Sequence, residues 1–214
     1  MERPVAGHDQ PGAGLDRLGN FTERFRTERI MPSGSNPQTK VRLMPIENER
    51  RFVLRDHASL ERKLAVVTDP LLIRQGYVDR RARVRCVGGS RPFFTWKRVL
   101  SSGQTMEIET PLSQEDFARL WWECGRRQTK RRYKLRVPPV LWDIDFHLGE
   151  DGSVALVRAE CEMPTDWDSP REMPGILAPH VAFEVPRGDE RFSSHALCDE
   201  ALARQVAREY DVAA

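Results

Sequence analysis

The sequence predicts an α+β fold that is mainly antiparallel β, with helices at its periphery. Three observations carry this reading. Short segments that alternate apolar and polar residues recur through most of the chain. Turn residues separate them at hairpin distances, as at Ser101-Ser102-Gly103 and Gly149-Glu150-Asp151-Gly152. Helical spacing is confined to one central and one terminal segment, with a single helical turn early on.

In order, residues 1–43 read as a flexible extension in which Gly, Pro, Ser and Asn recur. Pro32–Lys40 suits a linker, and a short helix over Leu15–Glu28 is weakly patterned. Residues 44–214 then form the domain. Strands are predicted at Ile46–Leu54, Leu71–Val78, Ala82–Val87, Phe93–Leu100, Thr105–Thr110, Thr129–Val137, Val140–Leu148 and Ser153–Met163, with a helical turn at Ser59–Leu64. A helix over Ser113–Cys124 follows from its Ser113 cap, Asp116 three residues on, and the spacing of Phe117, Leu120 and Trp121. The Pro-rich stretch Pro164–Pro186 suits short helical turns, and His195–Glu209 a terminal helix.

The 214 residues hold 34 Lys and Arg against 32 Asp and Glu, a net charge of +2. So even a balance argues against a broad nucleic-acid footprint, and nucleic acid is not an expected partner. No apolar run of about 18 residues is present, so no membrane-spanning helix is expected. Met1–Asn20 lacks the apolar core of a secretory signal. Cys86, Cys124, Cys161 and Cys198 are widely spaced and form no CxxC pair, which argues against a zinc site and suits reduced thiols in a cytoplasmic protein.

The chemistry lies in strand parity. Residues i and i+2 of a strand share a face. Glu47, Glu49 and Arg51 therefore point one way, as do Arg83 and Arg85, Thr95 and Lys97, Glu107 and Glu109, Lys130 and Arg132, Asp143 and Asp145, and Glu160 and Glu162. Val84, Trp96, Ile108, Ile144 and Cys161 fall on the other face; Asn48, Arg50 and Arg131 break that apolar pattern and are expected to face solvent. Any one charged pair suits the wet side of an ordinary amphipathic strand. Taken together they do not, because like charges two residues apart repel unless an ion or a neighbouring strand compensates them. Facing carboxylates suit a hard cation, and facing Arg and Lys suit phosphate oxygens. Both sets in one cavity match a Mg²⁺–polyphosphate guest.

The same residues resemble the motifs of the CYTH domain, found in the triphosphate tunnel metalloenzyme superfamily. Glu47-Asn48-Glu49-Arg50-Arg51 is similar to its opening ExExK, Gln75-Gly76-Tyr77 to its QGY strand and Arg83-Val84-Arg85 to its RVR strand. Thr95-Trp96-Lys97, Glu107-Ile108-Glu109, Lys130-Arg131-Arg132-Tyr133, Trp142-Asp143-Ile144-Asp145 and Glu160-Cys161-Glu162 continue the series in the family's order. The resemblance spans about residues 45–200. It implies an eight-stranded antiparallel closed β-barrel, a triphosphate tunnel. It further implies that Glu47, Glu49, Asp145, Glu160 and Glu162 bind Mg²⁺ or Mn²⁺, and that Arg51, Arg83, Arg85, Lys97, Lys130 and Arg132 bind the substrate's phosphates. Glu49, Arg51 and Lys97 would lie nearest the reaction, the hydrolysis of inorganic tripolyphosphate or an organic triphosphate. Adenylate cyclase-type chemistry on ATP and a non-catalytic polyphosphate-binding module are the alternatives. Arg51 departs from the family's Lys; a guanidinium stays charged, which excludes proton transfer there and leaves phosphate binding open.

Among the remaining candidates, His147 follows Asp145 at strand spacing and is expected inward, near the rim, as a structural histidine. His195 reads as an exposed residue near a helix start. Trp121-Trp122 reads as core with partial exposure, and Arg126–Arg132 as a solvated loop entering a strand. The chain is expected to be a monomer or homodimer.

Overall fold

The computed structural model describes residues 46–101 and 105–212. The extension expected over 1–43 lies outside the described residues, as do Ser102 and Gly103 of the predicted hairpin turn. In chain order the elements are β1 (Ile46–Glu47), β2 (Glu49–Leu54), α1 (His57–Val67), β3 (Leu71–Tyr77), β4 (Ala82–Val87), β5 (Phe93–Val99) and β6 (Thr105–Pro111). After them come α2 (Gln114–Glu123), β7 (Arg126–Val137), β8 (Val140–Leu148), β9 (Val154–Glu162), β10 (Val181–Glu184) and α3 (Glu200–Glu209), with single 3-10 turns at Ala178–His180, Glu190–Phe192 and Ala196–Cys198.

All ten strands form one antiparallel ladder in the order β1-β6-β5-β4-β3-β7-β8-β9-β2-β10. The mainly-β class is as predicted, but the eight-stranded closed barrel is not: the ladder is open, with β1 and β10 at its ends. The reason lies in Ile46–Leu54, predicted as one strand. Its first two residues pair with β6, as Ile46 opposite Met106 and Glu47 opposite Thr105. Beyond Asn48 it pairs with β9 on one edge, and β10 takes the other edge at Phe52–Leu54. A strand has two edges, so none is left there for β6. β10 itself was hidden in the Pro-rich stretch, where four residues between prolines carry little strand signal.

Asn48 makes the switch of partners possible. It was expected to face solvent, yet it is buried. Its side-chain amide donates to the carbonyls of Pro164 at 2.8 Å and Trp167 at 2.7 Å. The other two exceptions are also paired: Arg50 binds Glu184, and Arg131 grips Glu61 of α1 through two nitrogens at 2.7 and 3.0 Å. Tyr133 adds its hydroxyl to Glu61 at 3.1 Å.

The face opposite the charges builds the main core. Phe52, Leu54, Trp142, Ile144, Phe146, Val157, Ala159 and Cys161 meet Leu60 and Leu64 of α1 there. α1 is longer than the turn predicted at Ser59–Leu64 because this contact extends it. α2 starts as expected, with the Ser113 hydroxyl accepting from the Asp116 N–H at 2.9 Å. It ends against β3 at Gly76, where a Cβ would lie 2.8 Å from Cys124 Sγ. The terminal helix starts later than predicted, at an Asp199 cap that accepts from the Leu202 N–H at 3.1 Å. Among the described residues, no helix is long and apolar enough to cross a membrane.

Replacing Asn48 by Ala strands two carbonyls and loosens the partner switch. A loss of about 1–3 kcal/mol is expected in urea unfolding, and an unchanged midpoint would show that the two bonds are dispensable.

Candidate functional site

Ladder register sets several of these charges opposite their counterions and leaves two carboxylate pairs facing each other. Lys97 stands opposite Glu107. Arg132 stands opposite Asp145 and Lys134 opposite Asp143. Asp145 also faces Arg158, and Asp143 faces Glu160. Glu49 faces Glu162, and Arg51 faces Glu160.

Two clusters result. In the first, Lys97 Nζ lies 2.6 Å from Glu47 and 2.7 Å from Glu107. Arg83 approaches Glu107 at 3.7 Å, and Arg85 binds Glu109 at 2.6 Å while the Thr95 hydroxyl donates to the same carboxylate at 3.0 Å. In the second, Lys130 Nζ donates to Asp145 at 2.6 Å, and Arg132 donates to Asp145 through Nε and Nη2, both at 2.6 Å. Arg132 also reaches Glu160 at 3.2 Å and binds Asp143, which takes Lys134 at 2.9 Å. Arg51 joins the clusters, bonded to Glu49 and 3.6 Å from Glu160.

The clusters differ in depth. The side chains of Lys97 and Arg51 are 30% and 31% exposed, whereas those of Asp145 and Arg158 are 0% exposed. The C-terminal segment covers the deep end. Phe192 and Leu197 pack against Val53 and Leu156. Gln128, itself held by Gln75 at 3.2 Å, donates to the Leu197 carbonyl at 2.5 Å. Arg158 donates to the Phe192 carbonyl and to the Ser194 hydroxyl at 2.9 Å.

Burial and neighbours set the protonation states. Burial raises the Glu47 carboxyl to about 8, helped by its hydrogen bond with Glu107. Burial acts in the same direction on Glu107, but the bond from Glu47 and the charges of Lys97 and Arg83 outweigh it and hold Glu107 near 2. The pair thus shares a proton. Asp145 likewise stays well below the usual carboxylate range despite burial, because Arg132 and Lys130 dominate. Burial and the neighbouring Arg132 bring Lys130 down to about 7.

Sequence parity did not single out Arg158, which precedes Glu160 by two residues and shares its face. Its sign breaks the like-charge pattern that drew attention to ExE. Glu107 and Glu109 were recognised as a pair but given no role, and they turn out to be the partners of Arg83, Lys97 and Arg85. His147 lies at the deep end rather than the rim: it is fully buried, both ring nitrogens lack partners among the described residues, and burial and Arg158 keep it neutral. His195 sets its ring edge-on to Tyr77 at 5.0 Å, and Tyr77, which could have met residue 51, faces Arg83 instead. The basic run at 126–132 belongs to β7. Lys130 and Arg132 turn inward, while Arg127 caps the end of α2 by donating to the Trp121 and Trp122 carbonyls, both at 2.9 Å.

A divalent cation fits one part of this arrangement and not another. Among the described residues, no three His, Cys, Asp or Glu side chains are gathered to hold a metal ion. Both oxygens of Asp145 and both of Glu160 already accept from Lys130, Arg132 or Arg158. A metal at those two residues does not fit as they stand. Glu162 does fit: it faces Glu49, and burial together with the charges of Asp143 and Glu49 raises its carboxyl, a crowding that a cation would relieve. Two carboxylates suffice for an ion such as Mg²⁺ that arrives with phosphate oxygens and water in its shell.

No protein-family model and no curated protein matches the chain. Solved structures with some likeness include a conserved hypothetical protein from Pyrococcus furiosus, 14% identical with a TM-score of 0.39 over 78% of this chain and 91% of that one. A Pyrococcus horikoshii protein gives 16% and 0.39 over the same shares. A Bacillus halodurans protein provisionally named an adenylate cyclase gives 13% and 0.45, again over 78% and 91%. Likeness this remote assigns neither chemistry nor substrate.

The shared proton has a measurable consequence. Glu47 has a folded-state pKa above its ordinary value, so its contribution to stability is fully present below pH about 4.5 and is lost as pH rises through about 8. In metal-free buffer the stability of the wild type relative to Glu47→Gln is expected to fall between pH about 5 and about 9, read from urea midpoints. A constant difference would rule out the shared proton.

Proposed function

We propose that this chain is a divalent-cation-dependent hydrolase of triphosphates, with inorganic tripolyphosphate as the foremost substrate and organic triphosphates as the alternative. The observation that carries the reading is unused donor capacity on the charged face. Among the described residues, Arg51, Arg83 and Arg85 each keep a buried Nε–H with no hydrogen-bond acceptor. A buried, unpaired donor of this kind is costly unless a guest accepts from it. Guanidinium groups on the charged faces of β2 and β4 suit a guest rich in oxygen acceptors and negative charge, which describes a polyphosphate.

In this reading Arg83, Arg85 and Lys97 bind phosphate oxygens near the open side, and Lys130 and Arg132 attract the deeper end of the guest. Burial strengthens each of these contacts relative to water and fixes the donors before charge develops on the transferred phosphoryl group. Arg51 binds a phosphate oxygen and transfers no proton, since it remains a cation throughout. Glu49 and Glu162, with Glu47 beside them, would hold Mg²⁺ or Mn²⁺, which when bound supplies an acidified water and neutralises phosphate charge. The balanced outcome is cleavage of one terminal P–O–P bond by water, giving orthophosphate and a diphosphate.

Phosphate release from tripolyphosphate, ATP and thiamine triphosphate with Mg²⁺ or Mn²⁺ tests this directly. Tight tripolyphosphate binding without release would favour a binding module, and pyrophosphate release from ATP a cyclase. Glu49→Gln is expected to lower kcat by about 100-fold while the fold persists. Arg85→Ala should raise KM by about tenfold or more, the worth of one charge-assisted contact; unchanged kinetics in both variants would remove the charged face from the reaction.

A further inference from the structure

The deep cluster contains a cation that belongs to the chain itself. Arg158 stands directly across the ladder from Asp145 and two residues before Glu160, on the same inward face. Its Nη2 lies 2.6 Å from Glu160 and 3.8 Å from Asp145. The side chain is wholly buried and is fastened from behind, through the Phe192 carbonyl and the Ser194 hydroxyl. It therefore cannot swing aside as a surface arginine would. Two further cations, Lys130 and Arg132, close the remaining oxygens of these carboxylates.

We infer that Arg158 is a resident cation that replaces a divalent ion at Asp145 and Glu160, so that the chain takes up metal only at Glu49 and Glu162, with Glu47 beside them. An incoming ion at the deep end would find no bare carboxylate oxygen. It would also meet the buried guanidinium groups of Arg132 and Arg158 in a medium that screens them poorly. At the other end Glu49 and Glu162 face each other across the ladder, an acidic pair in which Arg51 takes one oxygen of Glu49. Arg158 is in this sense a positioning residue. It holds Asp145 and Glu160 in place without exchangeable metal, and through them it orients Lys130 and Arg132 toward the guest. The inference rests on the triphosphatase reading for its claim that metal binds at all, but not for its assignment of where.

The test counts ions rather than turnover. Mn²⁺ alone is titrated into the full chain, and bound ions are counted by loss of the free-ion electron paramagnetic resonance signal. The wild type is expected to bind one ion per chain; Arg158→Gln, which bares Glu160 Oε1 and removes the charge facing Asp145, two; and Arg158→Lys, which keeps the charge, one. A merely structural role for Arg158 would not raise the count. Two ions on the wild type, or one on a folded Arg158→Gln protein, would overturn the inference, as would the absence of Mn²⁺ from both. If Arg158→Gln does not fold, the wild-type count decides alone. Failure of the hydrolase reading looks different: the one-to-two change appears, but no triphosphate releases phosphate.

Discussion

An ammonium, guanidinium or carboxylate taken out of water costs several kcal/mol unless an opposite charge and hydrogen bonds replace its hydration. The inward face of this sheet turns such groups away from solvent on most of its strands. It is tolerable only because cations of this face lie beside carboxylates of neighbouring strands, as Lys97 beside Glu107 and Arg132 beside Asp145. The opposite face supplies ordinary apolar burial against α1, so the sheet is driven together from one side and kept in register from the other. A slip of one residue would turn Asp145 toward Leu60 and Leu64 and would leave Trp142 among the charges.

The same constraint explains why the two ends of the site differ. Where the C-terminal segment excludes water, both oxygens of Asp145 and both of Glu160 accept from Lys130, Arg132 or Arg158. Toward Lys97 and Arg51, residual solvent allows looser pairing, and a proton shared between Glu47 and Glu107 does part of the neutralising. A guest would thus meet fixed donors on one side and adjustable acids on the other.

Most of this was legible from period-two alternation. It located the strands to within a few residues and assigned the correct face to Glu47, Glu49, Arg83, Arg85, Lys130, Arg132, Asp145 and Glu160. Alternation says which way a side chain points but not what it meets. Which oxygens of Asp145 are already taken depends on register with β7 and β9, and that is fixed by the whole sheet. Arg158 escaped notice for this reason. β10 did too, because its partner edge on β2 exists only once Asn48 has redirected the chain. The closed barrel implied by family resemblance failed at the same point, where one short strand claimed the edge that closure required.

Among the described residues, β1 contributes two residues of ladder, Ile46 opposite Met106 and Glu47 opposite Thr105. Cooperative units of a protein open at different free energies, and the least secured opens first. Fraying at Ile46 and Glu47 would part Glu47 from Lys97 while leaving the Asp145 cluster untouched on its long strands. Among the described residues this is the stretch of the charged face held by the least ladder, and its loosening would free the Glu47 carboxylate alone.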